Sequence, residues 1–231
     1  MNNSSGYRTA VFLSLAALGV SAAVAQTPGP ANPLPNMQEI AKALGVSCEY
    51  CHTAQRGSGQ VEPKKDIARA MMAMTRDLNA RIPAATGKPA TEAAAVQCIT
   101  CHRGVAIPRQ LSDILMQTIK DKGAPAAAAQ YRELRTQYYG RQAYDFAEDT
   151  LVAIAQQIVA GKPDDAIALL QLNLEFNPRS ARSYAAIGYA YTRKYDDASA
   201  IANLEKALEI EPENGVIQGQ LEQLKSYRRR K

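Results

Sequence analysis

Every cysteine and every histidine of this chain falls within two five-residue runs. Cys48-Glu-Tyr-Cys51-His52 and Cys98-Ile-Thr-Cys101-His102 take up all four cysteines and both histidines. Two thiols three positions apart, followed directly by an imidazole, are the set that attaches a c-type haem. The thiols form thioethers to the porphyrin vinyl groups, and the histidine reaches the iron as its proximal ligand. Other chemistries explain less. Paired C-x-x-C motifs also bind zinc, but with about 15–20 residues between the pairs, a far shorter gap than here. Four cysteines in an exported chain can form two disulfides, and a redox C-x-x-C needs no histidine behind it. None of these accounts for two histidines at one shared offset. The expected cofactors are two covalently bound haem c groups, held by Cys48, Cys51, Cys98 and Cys101, with His52 and His102 on the irons.

With both histidines committed, a sixth ligand must be of another type, and methionine is the candidate. Beyond Met1, the chain offers Met37, Met71, Met72, Met74 and Met116. Met37 opens an expected helix over Met37–Leu44, behind Asn36 as N-cap. Its apolar face continues through Ile40, Ala41 and Leu44, and Gly45-Val46-Ser47 turns the chain into Cys48. Folded back, that helix can lay the Met37 sulfur over the far side of the porphyrin. A second expected helix, 65–81, carries three candidates for the other iron. Met71, Met74 and Leu78 share one face, whereas Met72 shares its face with Arg76 and Asn79. Only one sulfur can bind, so the remainder are core packing, as is Met116.

Stepping outward from the motifs, strand signals are weak, while Ala, Leu, Met and charged residues recur at helical spacing. Further helices are expected over 91–97, 110–120 and 131–138, ahead of a C-terminal array. Pro178 and Pro212 stand 34 residues apart, the tetratricopeptide period. Between them, Tyr184, Ile187, Gly188, Tyr191, Ala200, Leu204 and Ala207 fit that pattern. Gly188 and Ala200 are small where two antiparallel helices must approach. An earlier repeat is degenerate, keeping Ala166 and Leu170 but losing the pattern around 151–159. Residues 216–225 read as a cap, and the aromatics of 138–146 as packing beneath the first repeat. The fold class is therefore all-α: a multihaem c-type cytochrome domain with little regular structure, then an α-helical tetratricopeptide-like solenoid. In so small a haem domain the porphyrins supply much of the apolar core.

Residues 1–25 read as a cleavable signal peptide, with Arg8, an apolar stretch over 10–20, and Ala23-Val24-Ala25 before the cut. Composition breaks at 27–35 and 121–129 then divide a dihaem domain, 26–122, from a repeat domain, 131–231. The signal places the mature chain in the periplasm, where c-type haem is attached. The net charge of +5 is largely offset by four haem propionates and gives no reason to invoke nucleic acid. The terminal run Arg228-Arg229-Arg230-Lys231 suits a solvated helix end, or peripheral contact with an anionic membrane at the outer face of the inner membrane.

Taken together, a helical Met ahead of each attachment motif, the string Ala70-Met71-Met72-Ala73-Met74-Thr75-Arg76, and Cys101-His102-Arg103-Gly104 with Pro108 resemble the photosynthetic reaction-centre cytochrome c subunit. The resemblance covers roughly residues 36–108. That family builds each site from helix, turn and attachment motif, with the helix Met opposite the histidine. It implies Met37 for the first iron and, as the first Met of an M-x-x-M-T-R string, Met71 for the second. The family typically carries four haems, where this chain has motifs for two, and the repeat array is foreign to it. The expected function is single-electron transfer without catalysis. The expected partners are redox proteins, a reaction centre or a respiratory complex, met at the haem edge and in the repeat groove. A dihaem peroxidase-like enzyme or a haem-based redox or gas sensor is the alternative, and either requires an iron that opens.

Overall fold

The computed structural model describes residues 36–52 and 63–230. The expected signal peptide and the lead-in to residue 35 lie outside the described residues. Among those described there are α-helices and one 3-10 turn but no strand.

Helix α1 (Met37–Leu44) forms where expected, because both of its ends are written locally. The Asn36 Oδ1 accepts from the Glu39 N–H at 2.8 Å, and the Glu39 carboxylate accepts from the Asn36 N–H at 3.1 Å, a reciprocal cap. Gly45 ends the helix in the left-handed region at φ 66°. A 3-10 turn, Cys48–Tyr50, follows. Helix α2 (Pro63–Thr86) runs longer than the periodicity suggests, passing through Pro83 in its last turn. The helix expected over 91–97 does not form. The chain turns at 89–93 and then extends into α3 (Cys98–His102). The cause is a long-range grip: the Asn79 side chain on α2 takes both backbone groups of Val96, which a helix would have used internally.

The second composition break is also no linker. Gly123 alone separates α4 (Leu111–Lys122) from α5 (Ala124–Tyr138). Pro125 suits a first helical turn, and the alanines after it are the strongest helix formers. Ala124, Ala127 and Tyr131 are buried. The remaining helices are α6 (Glu148–Ile158), α7 (Pro163–Phe176), α8 (Ala181–Arg193), α9 (Asp197–Ile210) and α10 (Gly215–Arg229).

These helices pair as hairpins α4–α5, α6–α7 and α8–α9, closed by α10. Helix α4 packs on α6 and α6 on α8, while α5 packs on α7. The leading helices start at 111, 148, 181 and 215, steps close to the tetratricopeptide period. A third hairpin, unmarked in the sequence, thus heads the array. Leu111, Leu115 and Ile119 of α4 share one core with Tyr131, Phe146, Leu151, Ile154, Leu169 and Leu172. The ring of Tyr131 meets those of Phe146 and Phe176 at 5.6 and 5.7 Å. Gly188 sits where α8 crosses α9: an added methyl would lie 2.9 Å from Leu204 Cγ and 3.1 Å from the Ala200 carbonyl. Buried Asn173 donates to Ser183 Oγ at 2.8 Å and to the Glu148 carbonyl at 3.1 Å, fixing the register of α6, α7 and α8.

Candidate functional site

Both attachment motifs wind their cysteines onto a helical turn, bringing the two thiols and the imidazole to one short stretch of chain. In the first, the N–H groups of Cys51 and His52 both donate to the Cys48 carbonyl, at 3.3 and 3.0 Å. The Lys64 ammonium lies 3.8 Å from the Tyr50 ring centroid, so this motif is held against the start of α2. In the second, the Gln97 N–H donates to Thr100 Oγ1 at 3.0 Å, capping α3 just ahead of Cys98. Arg103 then leaves the helix in the left-handed region at φ 50°.

His102 is already oriented. Its Nδ1–H donates to the Val105 carbonyl at 3.0 Å, which leaves the Nε2 lone pair for a metal. Arg103 adds two ties, from Nε to the Thr100 carbonyl at 3.3 Å and from a terminal nitrogen to the Gln142 carbonyl at 3.1 Å. The second tie joins the motif to the loop between α5 and α6. No cysteine is paired with another; Cys48 and Cys101 are exposed, Cys51 and Cys98 half-buried. Among the described residues no three His, Cys, Asp or Glu side chains gather to hold a metal ion.

The methionines divide by face. Ile67, Met71, Met74 and Leu78 form an exposed apolar stripe along α2, at the i, i+4, i+7, i+11 spacing of a single face. Met72 and Asn79 are half-buried on another. Met37 on α1 is 61% exposed, and Ile99 within the second motif and Ile107 behind it are exposed as well. Before Leu111, Ala43 is the only hydrophobic residue buried among those described. Described residues with this much uncovered apolar surface and one buried hydrophobic side chain before Leu111 fit a large flat apolar group, and a porphyrin is such a group. The chemistry of the donors agrees, with unpaired cysteines for the thioethers, an Nε2 presented by His102, and thioether sulfurs on exposed helix faces.

Two contributors carry almost no signal in sequence. Asn79, a polar residue on the Met72 face, positions the approach to Cys98. Gly45, an apparent turn glycine, touches the second motif rather than merely leading into the first. Its partner Gly104 is 59 positions away, and no local pattern reports such a contact.

Over 65 residues the chain is 38% identical to cytochrome c-554 of Chloroflexus aurantiacus, which spans 28% of this chain and 15% of that protein. It is 34% identical over 104 residues to the photosynthetic reaction center cytochrome c subunit of Rubrivivax gelatinosus, 40% of this chain and 28% of that one. It is also 36% identical over 98 residues to cellulose synthase operon protein C of Escherichia coli, 41% of this chain and 8% of the other. The chain thus spans less than a third of the length of each of these relatives. A family model described as photosynthetic reaction centre cytochrome C subunit matches residues 47–164. That stretch takes in both attachment motifs, all of α2 and the first hairpin of the array, and leaves Met37 just outside it. Because the match covers more than half of its residues, the chain belongs to the photosynthetic reaction centre cytochrome c subunit family.

Proposed function

We propose that this protein is a periplasmic dihaem c-type cytochrome that carries single electrons between redox proteins and docks through its helical array. One observation carries the reading: two C-x-x-C-H motifs use every cysteine and histidine, on a segment whose apolar side chains lack a polypeptide core. When bound, each haem supplies one-electron chemistry at its iron. The chain's own residues hold and orient it. Cys48 and Cys51 would tether the first porphyrin and His52 would ligate its iron; Cys98, Cys101 and His102 would do the same for the second. Val105 keeps His102 in the tautomer that presents Nε2.

Met37 and Met71 would each supply the further ligand to one iron. The exposed stripe of α2 supports Met71, with Met74 as the alternative, over half-buried Met72. Thioether ligation favours ferrous iron, and a filled sixth position leaves no place for a substrate. An electron carrier, not an enzyme, follows from that. The core shared by α4 with α5, α6 and α7 supports a division near residue 110, later than which the chain is repeat array. No described helix is long and apolar enough to cross a membrane, and export rests on the signal at 1–25. The array, with hairpins α4–α5, α6–α7 and α8–α9, supplies the docking surface for the redox partner.

The test is haem counting by pyridine haemochrome, followed by an optical redox titration with and without carbon monoxide. Two covalent low-spin haems, unmoved by carbon monoxide, are the expected result. A carbon monoxide-binding haem would replace this reading with a peroxidase-like or sensor function.

A further inference from the structure

Helix α1 and the turn that follows the second attachment motif meet through backbone. The Gly104 N–H donates to the Ala43 carbonyl at 2.8 Å, joining the last turn of α1 to the residue two places beyond His102. Gly45 lies against the carbonyl of the same residue, in the Gly104–Val105 peptide. A methyl added there would sit 2.8 Å from the Gly104 carbonyl carbon and closer still to its oxygen. Backbone cannot swing aside as a flexible side chain can. Any residue but glycine at 45 must displace the Gly104 carbonyl, beside the N–H that Gly104 gives to Ala43.

A left-handed turn alone does not explain this glycine. Gly87 ends α2 with the same φ of +66° and has nothing within 4 Å of an added methyl. At Gly87 only the backbone angle favours glycine; at Gly45 the neighbour requires it as well. Gly104, moreover, lies inside the turn from His102 to Val105, whose carbonyl takes the imidazole Nδ1–H at 3.0 Å. The outer partner of a ligating histidine sets its ring orientation and the basicity of its other nitrogen, and through them the potential.

We propose that Gly45 is a positioning residue for the second haem: α1, the helix of the first site, sets the aim of His102 through the Gly45–Gly104 contact. Gly45 stands three residues before Cys48 in the chain, yet its influence falls on the other motif. This rests on the reading of both motifs as haem sites.

The experiment compares Gly45→Ala with Gly87→Ala in the full chain and in two single-haem backgrounds. One background carries Cys48→Ala with Cys51→Ala, the other Cys98→Ala with Cys101→Ala. Gly45→Ala should shift the midpoint potential of the second haem more than that of the first, and Gly87→Ala should leave both in place. A shift confined to the first haem, an equal shift of both, or none overturns the proposal. Where Gly45→Ala does not mature, hydrogen exchange of the Gly104 amide in the ferrous wild-type protein decides. Slow exchange is expected, and exchange at the open-chain rate overturns it. Haem counting keeps the two readings apart: two haems without a second-site shift defeat the positioning role alone, and a wild-type chain without covalent haem defeats both.

Discussion

The side-chain amide of Asn79 holds both backbone groups of Val96, accepting from its N–H at 2.7 Å and donating to its carbonyl at 2.9 Å. Two residues later the chain reaches Cys98. The contact therefore ties the helix bearing Met71 and Met74 to the second attachment motif across an extended return. Asn79→Ala removes two partly buried hydrogen bonds, a loss of about 1–3 kcal/mol. Thermal melting should fall accordingly, and the second haem should gain a high-spin fraction. A melt and an optical spectrum like the wild type's would mean that something else sets this approach.

The ligand assignments separate cleanly by spectrum. Met37→Ala and Met71→Ala should each keep two covalent haems while turning one site high-spin, because the thioethers and histidines remain. Met72→Ala should leave the spectrum alone. If Met74→Ala and not Met71→Ala produces the change, the ligand lies one turn further along the same exposed stripe. Unchanged spectra in both Met37→Ala and Met71→Ala would remove methionine ligation from the account.

Helix α4 is read as the first helix of the array, since fully buried Leu115 packs in a core with residues of α5, α6 and α7. Leu115→Ala should cost about 2–5 kcal/mol. A fragment starting at residue 106 should unfold cooperatively and well above one starting at 131, which lacks α4 and the opening turns of α5. Equal melting temperatures for the two fragments would return α4 to the haem segment.

Alkaline stability should depend on Tyr131. Burial, partly opposed by Arg135, raises its phenol above the usual 10.0. The folded chain then keeps this proton to higher pH than the unfolded chain, whose phenol ionises near pH 10. Stability is whole below that pH and is lost as the pH climbs from there through the folded value. Tyr131→Phe keeps the ring packing and removes the ionisation, so its melting temperature should fall less steeply above about pH 10. Parallel curves for the two proteins would place the alkaline loss elsewhere, with Tyr144, raised mainly by burial, the next group to replace.

Legibility followed the range of the interactions. Helix α1 could be read to the residue, since Asn36, Glu39 and Gly45 write both of its ends within ten positions. The attachment motifs were legible because thioether chemistry demands adjacency in the chain. The array could be seen where Gly188 and Ala200 keep the repeat pattern. Its first hairpin could not, because α4 and α5 bury Leu115 and Tyr131 without that pattern. The alanines after Gly123 look like a linker in composition and are a helix by propensity, a conflict that only packing resolves. Residues 91–97 fail as a helix for a reason located on another helix, at Asn79. The pairing of Gly45 with Gly104 is of the same kind, a contact between distant residues neither of which is unusual where it stands.

Ala43 stands alone as the hydrophobic residue that the polypeptide itself buries ahead of Leu111, among those described. In biogenesis, the two parts of such a chain mature on separate clocks. The array closes an interior of its own side chains, whereas the described cysteine-bearing segment would, on the proposed reading, close around porphyrin. On the proposed haem reading such looseness would suit attachment, which needs access to both thiols of each motif. Chain produced under haem starvation should accordingly be cut by protease before residue 111 and survive beyond it, and cuts spread evenly along the chain would contradict that order of assembly.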